Sequence, residues 1–264
     1  MPVIALIFAA VMYQAGGLAG VLFLVAAAAA AYIQRARLTR LARTLHLPAI
    51  ARLLRPSSTR GAGEAGASSF ARARALRTPW VRLLTAIGIS TRAERLASKC
   101  EAGGKGEQAA AAFLAPLLRE GWVFLYDRRF PRGNANVDIL AISPRGGVYN
   151  LDPKWWSAQA RYRLQVVDGR LMRGERDITG WLDGVRYETK MINRLLSVQA
   201  VTVLLMVGDV LAPGERLRVA GVRMIPAADA CTYLRALDRE QLPRQRGPQF
   251  VDVAARLLPS YTGR

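Results

Sequence analysis

Histidine and cysteine are almost missing from this chain. Its 264 residues include one histidine, His46, and two cysteines, Cys100 and Cys231. A single histidine, in the N-terminal third, excludes a His-rich metal centre and a Ser-His-Asp arrangement in the C-terminal body. Two cysteines cannot build a disulfide framework, and they do not make a zinc site. Acidic residues are also scarce, with 19 Asp+Glu against 38 Lys+Arg and a formal net charge of +19. That excess asks for an anionic partner, either nucleic acid or an acidic membrane face. Gly103-Gly104-Lys105-Gly106 lacks the spacing of a phosphate-cradling P-loop. With 52% hydrophobic and 22% charged residues, the chain is neither disordered nor collagen-like.

Charge divides the chain into three parts. Residues 1–34 carry no charged side chain. About 20 apolar residues suffice to cross a bilayer, so this stretch is expected to be a single-pass transmembrane anchor held by membrane lipid. Gln14-Ala15-Gly16-Gly17 would then be a kink, the alternative being a re-entrant turn between two short helices. Arg35, Arg37, Arg40 and Arg43 follow at once. By the positive-inside tendency, this places the rest of the chain in the cytoplasm, at the cell membrane. Residues 35–100 carry 14 basic and 2 acidic residues and form a basic connector. Within it, Ile33–Leu54 reads as an amphipathic helix lying on anionic lipid. Pro56–Gly66 reads as a flexible linker, and Thr78–Leu96 as one further helix. Residues 101–264 hold 24 basic and 17 acidic residues and form the mixed-charge body.

The body alternates in an α/β manner. The glycines at 103–106 precede a helix expected from Glu107 to Glu120, closed by Gly121. Strands are expected over Trp122–Phe130, Asn136–Ile142 and Val148–Lys154, separated by Pro131-Arg132-Gly133-Asn134 and Ser143-Pro144-Arg145-Gly146-Gly147. Asp168-Gly169 marks a hairpin between Tyr162–Val167 and Arg170–Arg173. A helix over Ile178–Ser197, strands at Thr202–Val207 and Val219–Ile225, and a helix over Pro226–Leu237 complete the pattern.

One constellation carries chemistry. Asp138 lies in the second strand, and Asp152 lies in the third, two residues before Lys154. Strand alternation puts Asp152 and Lys154 on one face, and a hairpin brings Asp138 beside Asp152. Two adjacent carboxylates repel, and burial raises their pKa values. A divalent cation relieves that conflict, and hard oxygen ligands suit Mg²⁺ or Mn²⁺. Lys154 would orient or activate the attacking water and balance charge on a phosphate. Glu107 is a candidate third carboxylate. Against this stands the plainer reading of two solvated strand-end carboxylates with a lysine nearby.

The succession Gly103-Gly104-Lys105-Gly106-Glu107, Val137-Asp138-Ile139-Leu140, Gly146-Gly147-Val148-Tyr149 and Asp152-Pro153-Lys154-Trp155-Trp156 resembles the nuclease-related domain (NERD) family. That family is allied to the restriction-endonuclease-like PD-(D/E)xK fold, and the resemblance covers about residues 103–207. It implies a mixed sheet flanked by helices, an Mg²⁺-dependent nuclease and DNA as partner. Glu107, Asp138 and Asp152 would be the metal ligands and Lys154 the catalytic lysine. The triplet departs from the usual pattern in carrying Asp152 for Glu and Pro153 at its centre. The function expected is hydrolysis of DNA phosphodiester bonds by a membrane-anchored protein. The alternative is a non-catalytic nucleic-acid-binding or scaffold module tethered at the membrane.

Other positions extend the candidate surface. Trp155 is expected to stack on a base, and Arg186 and Lys190, one helical turn apart, to meet phosphates. The plainer reading makes the tryptophans sheet packing and the two basic residues a solvated face. Gln159 and Gln165 read as solvated polar positions.

Overall fold

The computed structural model describes residues 63–133, 135–156, 163–240 and 248–261. The expected anchor at 1–34, the Ile33–Leu54 helix, His46 and Gln159 lie outside them. Among the described residues no helix is long and apolar enough to cross a membrane.

Among the described residues three helices come first: α1 (Ala67–Leu76), α2 (Pro79–Ala86) and α3 (Arg92–Leu118). The chain continues through β1 (Val123–Arg129), β2 (Asn136–Ile142), β3 (Val148–Trp155), β4 (Leu164–Val167), β5 (Arg170–Arg173) and β6 (Arg176–Asp177). Then come α4 (Leu182–Leu196), β7 (Val201–Val207), β8 (Leu217–Val219), β9 (Val222–Pro226), α5 (Ala230–Glu240) and α6 (Pro248–Leu257). A six-stranded sheet runs in the order β1-β2-β3-β7-β9-β8, and β4-β5-β6 form a small sheet of their own. β1 to β3 are an antiparallel meander, whereas β3, β7 and β9 are parallel. The main sheet is therefore mixed, with helices on both faces.

Alternation sorts the apolar residues between two cores. Ile139, Leu151, Val203 and Leu205 meet Ala110, Leu114 and Leu117 of α3 and Leu234 of α5. On the other face Leu140 and Val148 meet Ile192 and Leu196 of α4 and Ala254 of α6. Leu204, Met206 and Met224 are covered by Leu164 and Leu171 of the small sheet and by Leu182 and Val185. The polar residues Asn150 and Thr202 lie on the α4 side, where Thr189 Oγ1 accepts from Asn150 Nδ2 at 3.0 Å and shares a 2.8 Å bond with Thr202.

Four expectations need correction. The helix does not start at Glu107: α3 begins at Arg92, with Thr91 capping Glu94 N–H at 3.1 Å, and runs straight through Gly103-Gly104-Lys105-Gly106. Glycine costs about 1 kcal/mol at each interior helical position. At Gly104 and Gly106 close approach explains it. A Cβ on Gly104 would lie 2.9 Å from the Phe70 ring of α1, and one on Gly106 3.3 Å from Trp155 Cβ. The stretch Thr78–Leu96 is two helices, because Gly88 adopts φ +84 between α2 and α3. Val219–Ile225 is a hairpin, since Ala220 and Gly221 take φ +50 and +82 and fold β8 back on β9. Finally, the end of the expected linker is packed on the body. Gly66 is buried against Gly104, and Ser68 N–H donates to Asp127. Arg77, which follows α1, bridges Glu94 and Glu101 of α3 at 2.9 and 2.7 Å.

Candidate nuclease-like site

β2 and β3 pair with Ile139 opposite Leu151. One step further in the same register sets Asp138 opposite Asp152, on one face, where facing Cβ atoms lie about 5 Å apart. β3 also pairs with β7, so Asp152 stands beside Leu204 and Lys154 beside Met206, on the face that α4 covers. Lys154 Nζ donates to Asp152 Oδ1 at 2.6 Å. Asp152 is buried, and Asp138 and Lys154 are half-buried.

Two more carboxylates join from helices. Glu107, on α3, is buried and accepts from Ser69 Oγ of α1 at 2.8 Å. Its Oε2 is buried with no hydrogen-bond partner among the described residues. Glu188, on α4, was not singled out from the sequence. Its only signal there is its place beside the buried stripe Val185, Thr189 and Ile192. Electrostatics ties these groups together. Burial, opposed by the Ser69 hydrogen bond and reinforced by the Asp127 and Asp152 charges, pushes Glu107 up to about 7. Burial and then Asp152 push Glu188 up to about 8, against the pull of Lys154. Burial, then Asp152 and Glu107, hold Asp138 well above the usual carboxylate range. Burial pulls the Lys154 ammonium down, but Asp152 and Asp138 outweigh it and keep the group above its ordinary value.

Asp127 is a second buried acid that the sequence did not reveal. It adopts φ +49, accepts from Asn136 Nδ2 at 3.0 Å and holds the Ser68 amide, so it fastens α1 to β1. Arg128 beside it is fully buried and ends α6, donating to the Leu258 and Ala255 carbonyls at 2.5 and 2.8 Å.

The donor set suits a hard divalent cation in kind: mutually repelling carboxylates, one of them with a buried, unpartnered oxygen. As placed, no group of three or more His, Cys, Asp or Glu among the described residues is arranged to hold a metal ion. Lys154 takes one oxygen of Asp152, and Glu107 reaches the cluster from the layer opposite Glu188.

The remaining expected residues divide. Trp155 is 53% exposed at the end of β3, next to Lys154. Arg186 and Lys190 are exposed on α4 but line a separate pocket of about 240 Å³ with Thr189, Asn193, Thr202 and Gly221. Arg186 also pairs with Asp183 at 3.3 Å. Gln165 is exposed on β4.

Comparison with known proteins gives one match. Residues 102–204 match the family model described as nuclease-related domain, a stretch that contains Glu107, Asp138, Asp152, Lys154 and Glu188. No curated protein matches the chain, and no solved structure does. The match supports a nuclease-related function and contact with nucleic acid for that stretch.

Proposed function

We propose that the chain is a metal-dependent nuclease that hydrolyses DNA phosphodiester bonds. The observation that carries this reading is the facing pair Asp138 and Asp152 with Lys154 bonded to Asp152, inside the stretch similar to nuclease-related domains. In it Asp138, Asp152 and Glu107 would hold Mg²⁺ or Mn²⁺, with Glu188 at the rim. The bound cation would polarise a phosphate oxygen and lower the pKa of a water. Lys154 is bonded to Asp152 at 2.6 Å and so fixed in place. Its ammonium orients the attacking water and faces the negative charge that builds on the phosphate. Glu107 and Glu188 take up or release protons close to neutral pH. The +19 charge attracts the polyanion. The fold reading that goes with this function is restriction-endonuclease-like.

The uncharged segment 1–34 would anchor the body at the cell membrane, facing the cytoplasm. Protease protection in sealed vesicles tests that part, since a luminal body would survive external protease.

The deciding assay is plasmid nicking by the full chain with Mg²⁺ or Mn²⁺, using Lys154→Ala as control. Metal-dependent nicking lost in the variant supports the reading. One observation favours a second reading, a nucleic-acid-binding module without cleavage: Lys154 occupies Asp152, and no three-carboxylate shell is assembled among the described residues. DNA retention with no nicking under either metal would select it.

A further inference from the structure

Tryptophan is costly to leave in water, yet two tryptophans stand exposed on the elements that carry the carboxylates. Trp155 is 53% and Trp181 54% exposed. Trp155 directly follows Lys154, and its Cβ side rests against Gly106, beside Glu107. Trp181 caps α4, the helix of Glu188. It meets Trp156 at 5.1 Å between centroids with planes at 71°. That contact braces the Trp181 ring, which stays more than half exposed. Trp156 is in turn fixed by the Arg173 guanidinium, 4.8 Å above its ring. Arg170 and Arg176 of the same small sheet are exposed.

Exposed tryptophans, one pair of them beside arginines, match one polyanion feature. Unpaired bases present a π-face, and each stacked base adds substantially to binding without sequence preference. In a duplex those faces are hidden by neighbouring base pairs. Phosphate charge alone would be served by arginines and has no use for tryptophan.

We propose that Trp155, on the α3 side of the end of β3, and Trp181, with Trp156 on its α4 side, each receive unpaired nucleobases, so that this rim of the sheet takes single-stranded DNA or a frayed end in preference to intact duplex. This deepens the nuclease reading by naming its substrate class. The binding does not require cleavage, and the test keeps the two apart.

The experiment uses the full chain in EDTA, so that no metal-dependent cleavage runs. Fluorescence anisotropy compares a labelled oligothymidylate, an abasic strand of equal length and a duplex, and tryptophan quenching is followed in parallel. The expected result is at least tenfold tighter binding of the thymidylate than of the abasic strand. Trp181→Ala and Trp155→Ala should each weaken thymidylate binding five- to a hundredfold. Duplex and abasic binding should stay within about twofold, and Trp181→Phe should restore most of the loss. Equal binding of thymidylate and abasic strands would overturn the proposal. So would tryptophan variants that weaken all three probes alike, or none, which is also what a rim built for a protein partner would give. Nicking with Mg²⁺ is scored separately: its absence defeats the nuclease reading, and the EDTA binding decides the rim.

Discussion

The β2–β3 hairpin ends in carboxylates at both extremities, and the two ends are treated in opposite ways. At the turn, Asp238 of α5 is buried, accepts from Ser143 Oγ at 2.6 Å and Tyr149 OH at 2.9 Å, and faces Arg145 at 3.8 Å. Ser143 Oγ in turn accepts the Gly147 amide at 2.9 Å. Every group there has a partner inside the protein. At the open end, Glu107 keeps a buried oxygen with no partner among the described residues, and burial first, then neighbouring carboxylates, raise Asp138, Glu107 and Glu188. A satisfied buried acid locks a turn. Buried acids crowded together favour taking up protons or a cation, as a candidate site would.

The sharpest break of that contrast is Lys154→Ala. It leaves Asp152 without its 2.6 Å partner and should lower nicking about 10²–10³-fold, with DNA retention in a filter assay little changed. At the turn, Asp238→Ala should leave nicking intact but cost roughly 2–4 kcal/mol of stability in urea, because Ser143 and Tyr149 lose their acceptor. Gly147→Ala should act at the same place, since its Cβ would meet Asp238 Oδ1 and Tyr149 OH at 2.6 Å.

The open end predicts an unusual pH response. The unfolded value of both glutamates is 4.5, and the folded values are about 7 for Glu107 and about 8 for Glu188. The folded state therefore binds more protons, so this contribution is full below about pH 4.5 and lost as pH rises through 7 to 8. For Glu107 alone the loss is about 3 kcal/mol. Thermal melts in EDTA should show falling stability from pH 6 to 8.5. Mg²⁺ should raise the melting temperature more at pH 8.5 than at pH 6, and a gain independent of pH would remove these acids from the site. Glu107→Gln should raise stability at pH 8.5 by about 1–3 kcal/mol while weakening the Mg²⁺ response, the trade expected when a functional group is removed. The smallest effect belongs to the surface. Arg235→Ala breaks a 2.6 Å pair with Glu120 and should change stability by less than about 1 kcal/mol.

Much of this site was legible residue by residue. Asn136–Ile142 and Val148–Lys154 alternate and are closed by glycine and proline turns, so local chemistry sets their register and with it the facing of Asp138 and Asp152. The Asp168-Gly169 turn was readable for the same reason. Glu107 was singled out, but in the wrong setting: it lies inside α3 and not at a helix start. Glycine reads as a boundary unless something distant presses on the backbone, and here Phe70 and Trp155 do so. Glu188 carries no local mark, because nothing about a polar residue on an amphipathic helix tells which neighbour it will face.

Composition and alternation therefore determined the charge, the antiparallel meander and the Asp-x-Lys face, because these depend on neighbours along the chain and across tight turns. The tertiary structure alone decided that α3 runs unbroken through its glycines and that Glu188 joins the carboxylates. It also decided that Trp181 is braced in the open and that Arg186 and Lys190 turn to another pocket. Each of those depends on which helix packs on which face of the sheet, a choice made by apolar burial between distant segments.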